Sequence, residues 1–158
     1  MCLSRKFALD DLRDLLNLIP KEGRVVYKIV GVARGKYYPV AINTRTPFKV
    51  GSDSADTHES VLSLYGEKYK AGFHFFQIKE EAEETLRLVR RRSKDTKANK
   101  SVRANMREAN ELLRKEYKVI ECRIKKSWVT AIGVDGIDGE DITIVTKKAI
   151  FPDPKDAK

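Results

Sequence analysis

The sequence predicts an α+β domain with a mixed or mainly antiparallel sheet, about three helices and a β-hairpin region towards its C-terminal end. Three observations carry this expectation. Runs rich in β-branched and aromatic residues stand early and late, at 24–42 and 117–151, while helical periodicity occupies the N-terminus and the middle. That order is not the alternation of a doubly wound sheet. With 158 residues, 41% of them hydrophobic and 35% charged, the chain can bury one core beneath a heavily charged surface.

The elements follow in order. Residues 9–19 read as a helix: Leu12, Leu15, Leu16 and Ile19 recur at helical spacing, Asp10 and Asp11 suit the positive end of the dipole, and Pro20 stops it. Residues 24–33 and 36–42 flank Arg34-Gly35 and read as a hairpin. The first run is apolar on both faces, Val25, Tyr27 and Ile29 against Val26 and Val30, which predicts a central strand covered on both sides. Residues 43–56, with Pro47 and Gly51, read as a loop, and 61–69 as a short helix or irregular chain. Residues 72–78 form a compact aromatic strand. Residues 79–92 form a strong helix, with Glu80, Glu81, Glu83 and Glu84 in its first turns and Arg87, Arg90, Arg91 and Arg92 in its last.

A loop is expected at 93–100, then a helix over 101–116 capped by Ser101, with Val102, Met106, Ala109 and Leu113 along one stripe. Residues 117–125 alternate, placing Ile120, Cys122 and Ile124 on one side. Strands at 128–134 and 141–151 close the fold around Asp135-Gly136 and Asp138-Gly139. The organisation expected is one domain over 1–151, in which 93–116 is an insertion carrying a basic helix, and a frayed tail at 152–158.

Charge is the most informative feature. The chain carries a formal +9, and residues 87–107 hold nine basic residues against the single acid Asp95. The rest of the chain is thus nearly neutral. Arg103, Arg107, Asn110 and Arg114 follow helical spacing opposite the Val102 stripe. With Arg90, Arg91, Arg92, Lys94, Lys97 and Lys100 they make a strip suited to phosphates, binding in a salt-sensitive and largely sequence-independent way. Nucleic acid or another polyanion is the expected partner.

Motifs for other chemistry are sparse. Cys2 and Cys122 with His58 and His74 show no paired short spacing, so no metal site is expected, and Cys122 reads as a small buried thiol. Asp135, Asp138, Glu140 and Asp141 lack calcium-loop spacing and read as hairpin turns. No phosphate loop, dinucleotide fingerprint or nucleophile elbow occurs, so no cofactor is expected. Asp10, Asp11 and Asp14 are incompatible with a secretory signal, and no run approaches the roughly 18 apolar residues of a membrane span. A cytoplasmic protein without membrane contact is the expectation. Gln77 is the only glutamine amid abundant Lys, Arg and Glu, a composition enriched in heat-adapted proteins.

Residues 72–84, Gly-Phe-His-Phe-Phe-Gln-Ile-Lys-Glu-Glu-Ala-Glu-Glu, resemble the most recognisable segment of a family of small uncharacterised domains found in phage and giant-virus proteins and beside pentapeptide repeats. There a Gly-[Ile/Phe]-His-Phe-Phe type of strand leads into an acidic helix. The likeness implies a fold relationship and no activity. A more remote similarity, of the same glycine-aromatic strand and helix, is to ADP-ribosyltransferase folds. It implies an enzyme with His74 near its pocket and a late strand glutamate, for which Glu121 is the candidate. His58 is followed by Glu59 where those enzymes carry His-Gly. Three readings therefore stand: a non-catalytic polyanion-binding module first, then an ADP-ribosyltransferase-like enzyme or a protein-interaction accessory domain.

Overall fold

The computed structural model describes residues 5–6, 14–40, 46–55, 60–62, 68–94, 116–135 and 141–156. Its spine is the pairing of β2 (Arg24–Ala33) with β8 (Glu116–Ile124), antiparallel in unbroken register from Arg24↔Ile124 to Val32↔Glu116. Apolar residues on both faces of β2 account for its central place. Val26 and Val30 point to one side and Ile29 to the other, and all three are buried. At the end of β2, Arg34 and Gly35 both adopt positive φ, 50° and 67°, the backbone of a two-residue type I′ hairpin. It leads into β3 (Lys36–Tyr38), as the β-prone runs around Arg34-Gly35 predict.

The remaining strands are β1 (Arg5–Lys6), β4 (Gly51–Ser54), β5 (Ser60–Leu62), β6 (Lys68–Lys70), β7 (Phe73–Phe76), β9 (Val129–Asp135), β10 (Asp141–Thr146) and β11 (Lys148–Phe151). Nine of the strands make one sheet, in the order β1-β9-β10-β7-β2-β8-β11-β4 with β3 beside β2, and β5-β6 form a separate ribbon. Every pairing among the described residues is antiparallel.

One face of the sheet carries the main core. Val26, Val30, Phe75, Ile120, Cys122, Ile124, Ile132, Ile144 and Phe151 meet there, closed over by Leu15, Leu16 and Ile19 from the N-terminal segment, and by Tyr37 and Phe48. The expected row of Ile120, Cys122 and Ile124 is thus the buried side of β8, and Cys122 is a free, buried thiol. On the opposite face α1 (Lys79–Lys94) lays Ala82 and Leu86 on Ile29 and Phe76. Beside it, Tyr69 of β6 packs on Ala131 and Val145.

Several expectations need correction. The described residues contain one sixteen-residue helix, α1, and a helical turn at 14–17, not about three helices. Most of the helix expected at 101–116 lies outside the described residues, and Glu116 opens a strand, because its neighbours continue the β2 ladder. Ser93 and Lys94 extend α1 where a loop was expected. The loop at 43–56 contains β4, and the ambiguous 61–69 stretch contributes to β5 and β6. The single run at 141–151 is two strands. A bulge at Val145/Thr146 and a break at Lys147 send β10 to β7 and β9 but β11 to β8 and β4. Among the described residues no helix is long and apolar enough to cross a membrane.

Candidate functional site

Of the candidates read from sequence, His74 and Glu121 stand on strands that β2 separates. His74 lies in β7, its Nε2 3.3 Å from Tyr69 Oη, with the two rings edge to face. Burial, and then the positive Lys28, lower its pKa to about 3, while a backbone hydrogen bond at Gly72 acts the other way. Glu121 is exposed on β8, directly across from Tyr27. Tyr27 in turn sits opposite Phe76, so β2 separates Glu121 from the strand that carries His74. Among the described residues no group of three His, Cys, Asp or Glu side chains converges.

Of the basic strip, Arg90 is the member whose side chain is described. It is exposed on α1, and its guanidinium donates to the Tyr117 carbonyl at the start of β8. Arg87, one turn earlier, is paired with Glu84. Arg91, Arg92 and Lys94 lie on the last turns of α1. Lys97, Lys100, Arg103, Arg107 and Arg114 lie outside the described residues.

A different basic site is built at the other end of β8, roughly 26 Å away along the strand. There a 3-10 turn, Lys126–Trp128, carries the chain from β8 into β9. The break between β10 and β11 and the end of β4 arrive at the same place. Lys147 ties them together through its backbone: its N–H donates to the Trp128 carbonyl at 2.9 Å, and its carbonyl accepts from the Ala55 N–H at 3.0 Å. The result is an open groove of about 430 Å3 lined by Ser54, Ala55, Ser127, Trp128, Lys147 and Lys148.

The chemistry of this groove is one-sided. The Lys125 and Lys148 ammonium groups each lie 5.5 Å from the centre of the Trp128 ring. Lys125, Lys147 and Lys148 form no ion pair with any described residue, and none of the described lining residues is acidic. Lys126 donates to Asn17 at 3.2 Å, which braces the turn from the N-terminal side. The groove continues onto a bare strip of sheet beyond α1. Lys148 pairs with Ser54, Ile150 with both Ser52 and Arg123, and Arg123 with Val25, so these six side chains share one face. Val25 and Ile150 are 36% and 37% exposed, so no described residue covers this part of the sheet fully.

A second unusual lysine lies in the opposite environment. Lys28 falls between Val26 and Val30 on the core side of β2. Past Tyr27↔Phe76, the one register pair they share, β2 and β7 diverge. Across that divergence Lys28 Nζ donates to the His74 carbonyl at 2.9 Å, and it lies 5.2 Å and 5.6 Å from the Phe75 and Phe48 ring centres. Enclosure of the ammonium lowers its pKa to about 8, partly opposed by Cys122. Burial in turn pushes the Cys122 thiol up to about 12. The Tyr37 phenol is also raised to about 12, chiefly by burial, and its Oη has no hydrogen-bond partner among the described residues.

Sequence reasoning missed both lysine sites. For the groove the signal was two basic pairs, Lys125-Lys126 beside Trp128 and Lys147-Lys148, separated by twenty residues and joined only by the β10–β11 break. For Lys28 it was a single charge inside an apolar run. Comparison with protein-family models, with curated proteins and with solved structures finds no match for this chain. The segment that carries the family resemblance, 72–84, forms strand β7 running into α1 with Glu80 and Glu81 in its first turn.

Proposed function

We propose that this protein is a non-catalytic binding module for polyanions and that the Trp128 groove is its primary contact. One observation supports the reading above all: the Lys125 and Lys148 ammoniums lie over a partly exposed tryptophan and Lys147 lines the same groove, none of the three with a carboxylate partner among the described residues, at a point where three chain segments are joined by backbone hydrogen bonds. Ammonium groups left unpaired at a rigid site are preorganised for an incoming anion, since they need not break an internal ion pair first. The Ser54 and Ser127 hydroxyls add neutral donors to the same groove. The last turns of α1, which carry Arg90, Arg91, Arg92 and Lys94, stand at the other end of β8.

Retention on heparin and its salt dependence test this. The wild-type chain should elute at moderate salt, and Lys125→Ala, Lys147→Ala and Lys148→Ala combined should elute much earlier. Each lost phosphate contact should flatten the log–log salt dependence of polyanion affinity by roughly 0.7 for a flexible single strand. Unchanged elution and an unchanged slope in the triple variant would remove the groove as the binding site.

A further inference from the structure

We infer that the polyanion taken by this groove is single-stranded nucleic acid, with an unpaired base stacked on Trp128 and its flanking phosphates held by Lys125, Lys147 and Lys148. This rests on the polyanion reading above and goes further by naming the ligand.

Two physical points separate a nucleic acid strand from a purely anionic polymer. A sulfated sugar or a polyphosphate needs cations and hydroxyls, and gains little from an aromatic ring. Yet the one tryptophan of the chain stands among the groove's lysines, held by the Lys147 N–H, which donates to its backbone carbonyl. The Lys125 and Lys148 ammoniums rest on that ring at 5.5 Å. An exposed cation–π contact is weaker than the stacking of a base on an aromatic side chain. A base arriving on the indole therefore displaces an ammonium, and the freed charge turns to the phosphate next to that base. Both groups end with a better partner.

The strip beside the groove fits the rest of a strand. Arg123 and Lys148 alternate with the exposed apolar side chains of Val25 and Ile150 and with the hydroxyls of Ser52 and Ser54. Cations for phosphates, flat apolar area for bases and hydroxyls for sugar or phosphate oxygens are what a strand with splayed bases requires. A duplex hides its base faces within the stack, so it can use the lysines but not the indole.

Because Trp128 is the only tryptophan, its fluorescence reports this groove alone. The full chain should be titrated at low salt with a short oligothymidylate, with a blunt duplex of equal length, with inorganic polyphosphate and with heparin. The inference expects saturable quenching by oligothymidylate, weaker binding of the duplex, and binding of polyphosphate without comparable quenching. Trp128→Ala should weaken oligothymidylate binding by about 5- to 100-fold while leaving heparin retention nearly unchanged. Trp128→Phe, which keeps a stacking face with little risk to the fold, should recover most of the affinity. Oligothymidylate binding without a fluorescence change, equal affinity for duplex and single strand, or tighter binding of heparin at matched charge would overturn the stacking inference and leave the polyanion reading intact. No binding of any of the four probes would overturn both.

Discussion

Lys28 and Lys148 make nearly the same contact in opposite surroundings. Each holds its ammonium over an aromatic ring, 5.2 Å from the centre of Phe75 for Lys28 and 5.5 Å from Trp128 for Lys148. Lys28 is enclosed, donates to the His74 carbonyl and has its pKa lowered to about 8. Lys148 lies at the rim of an open groove with no carboxylate partner among the described residues. The interior contact therefore serves the fold, closing a gap where two strands part. The surface contact leaves a charge and a ring face ready for exchange. What a lysine on an aromatic face does is decided by what else can reach it.

Four perturbations would break or sharpen this contrast, and the largest concerns His74. Its folded pKa of about 3 lies below the ordinary 6.5, so between these values the unfolded chain binds more protons than the folded one. Stability is present above pH 6.5 and is lost as the pH falls, by on the order of 4 kcal/mol near pH 3. His74→Gln, which can still bond Tyr69 but cannot titrate, should flatten the acid limb of a denaturation curve. An identical acid limb in wild type and variant would mean that His74 is not enclosed.

Next comes Gly23, where β2 begins. Its φ is +112°, and an added Cβ would lie 2.3 Å from the Ile124 carbonyl oxygen. Gly23→Ala should cost roughly 3 kcal/mol by urea denaturation. Because Ile124 directly precedes Lys125, the same variant should also weaken heparin retention. A destabilised protein with unaltered retention would uncouple the groove from the end of β8.

A smaller effect separates the interior lysine from the exterior ones. The folded pKa of Lys28, about 8, lies below its ordinary 10.5, so stability should rise as pH passes upward through that window. Cys122, raised from 9.0 to about 12, opposes this above pH 9 and leaves pH 8 to 9 as the clean interval, worth about 1 kcal/mol. Lys28→Met should abolish the rise. At pH 7 the same variant should change stability by no more than about 1 kcal/mol, because relief of the enclosed charge offsets the unpaired His74 carbonyl. A loss of several kcal/mol at every pH would show that the ammonium itself holds the strands together.

The smallest change is expected at the Arg87–Glu84 pair on the exposed side of α1. Glu84→Ala should alter the urea midpoint by less than about 0.5 kcal/mol of stability, since both partners are solvated.

How much of this was legible in the sequence varies by element. Period-two alternation found β8 and its buried side, and the Arg34-Gly35 pair found the hairpin, because those signals are local. The glutamate-to-arginine gradient likewise located α1. The split of 141–151 was not legible, since a bulge at Val145/Thr146 interrupts a run whose composition never changes. β4 was missed because Gly-Ser-Asp-Ser has turn composition and becomes a strand only by pairing with β11. The groove was invisible for the same reason: Ser54, Trp128 and Lys148 are brought together by strand order, which periodicity does not encode. Lys28 was not legible because the run reads as apolar on both faces, Val25, Tyr27 and Ile29 against Val26 and Val30, and a single charge within it carries no pattern of its own.

On our proposal the anion-binding surface lies at the Trp128 end of β8, not at the Arg90 end. A two-dimensional amide spectrum recorded during titration with a short heparin oligosaccharide tests it most directly. The Trp128 indole N–H and the amides of Ser54, Ala55, Ser127, Lys147 and Lys148 should shift first and saturate together. Early shifts confined to the last turns of α1, with the indole signal unmoved, would contradict it.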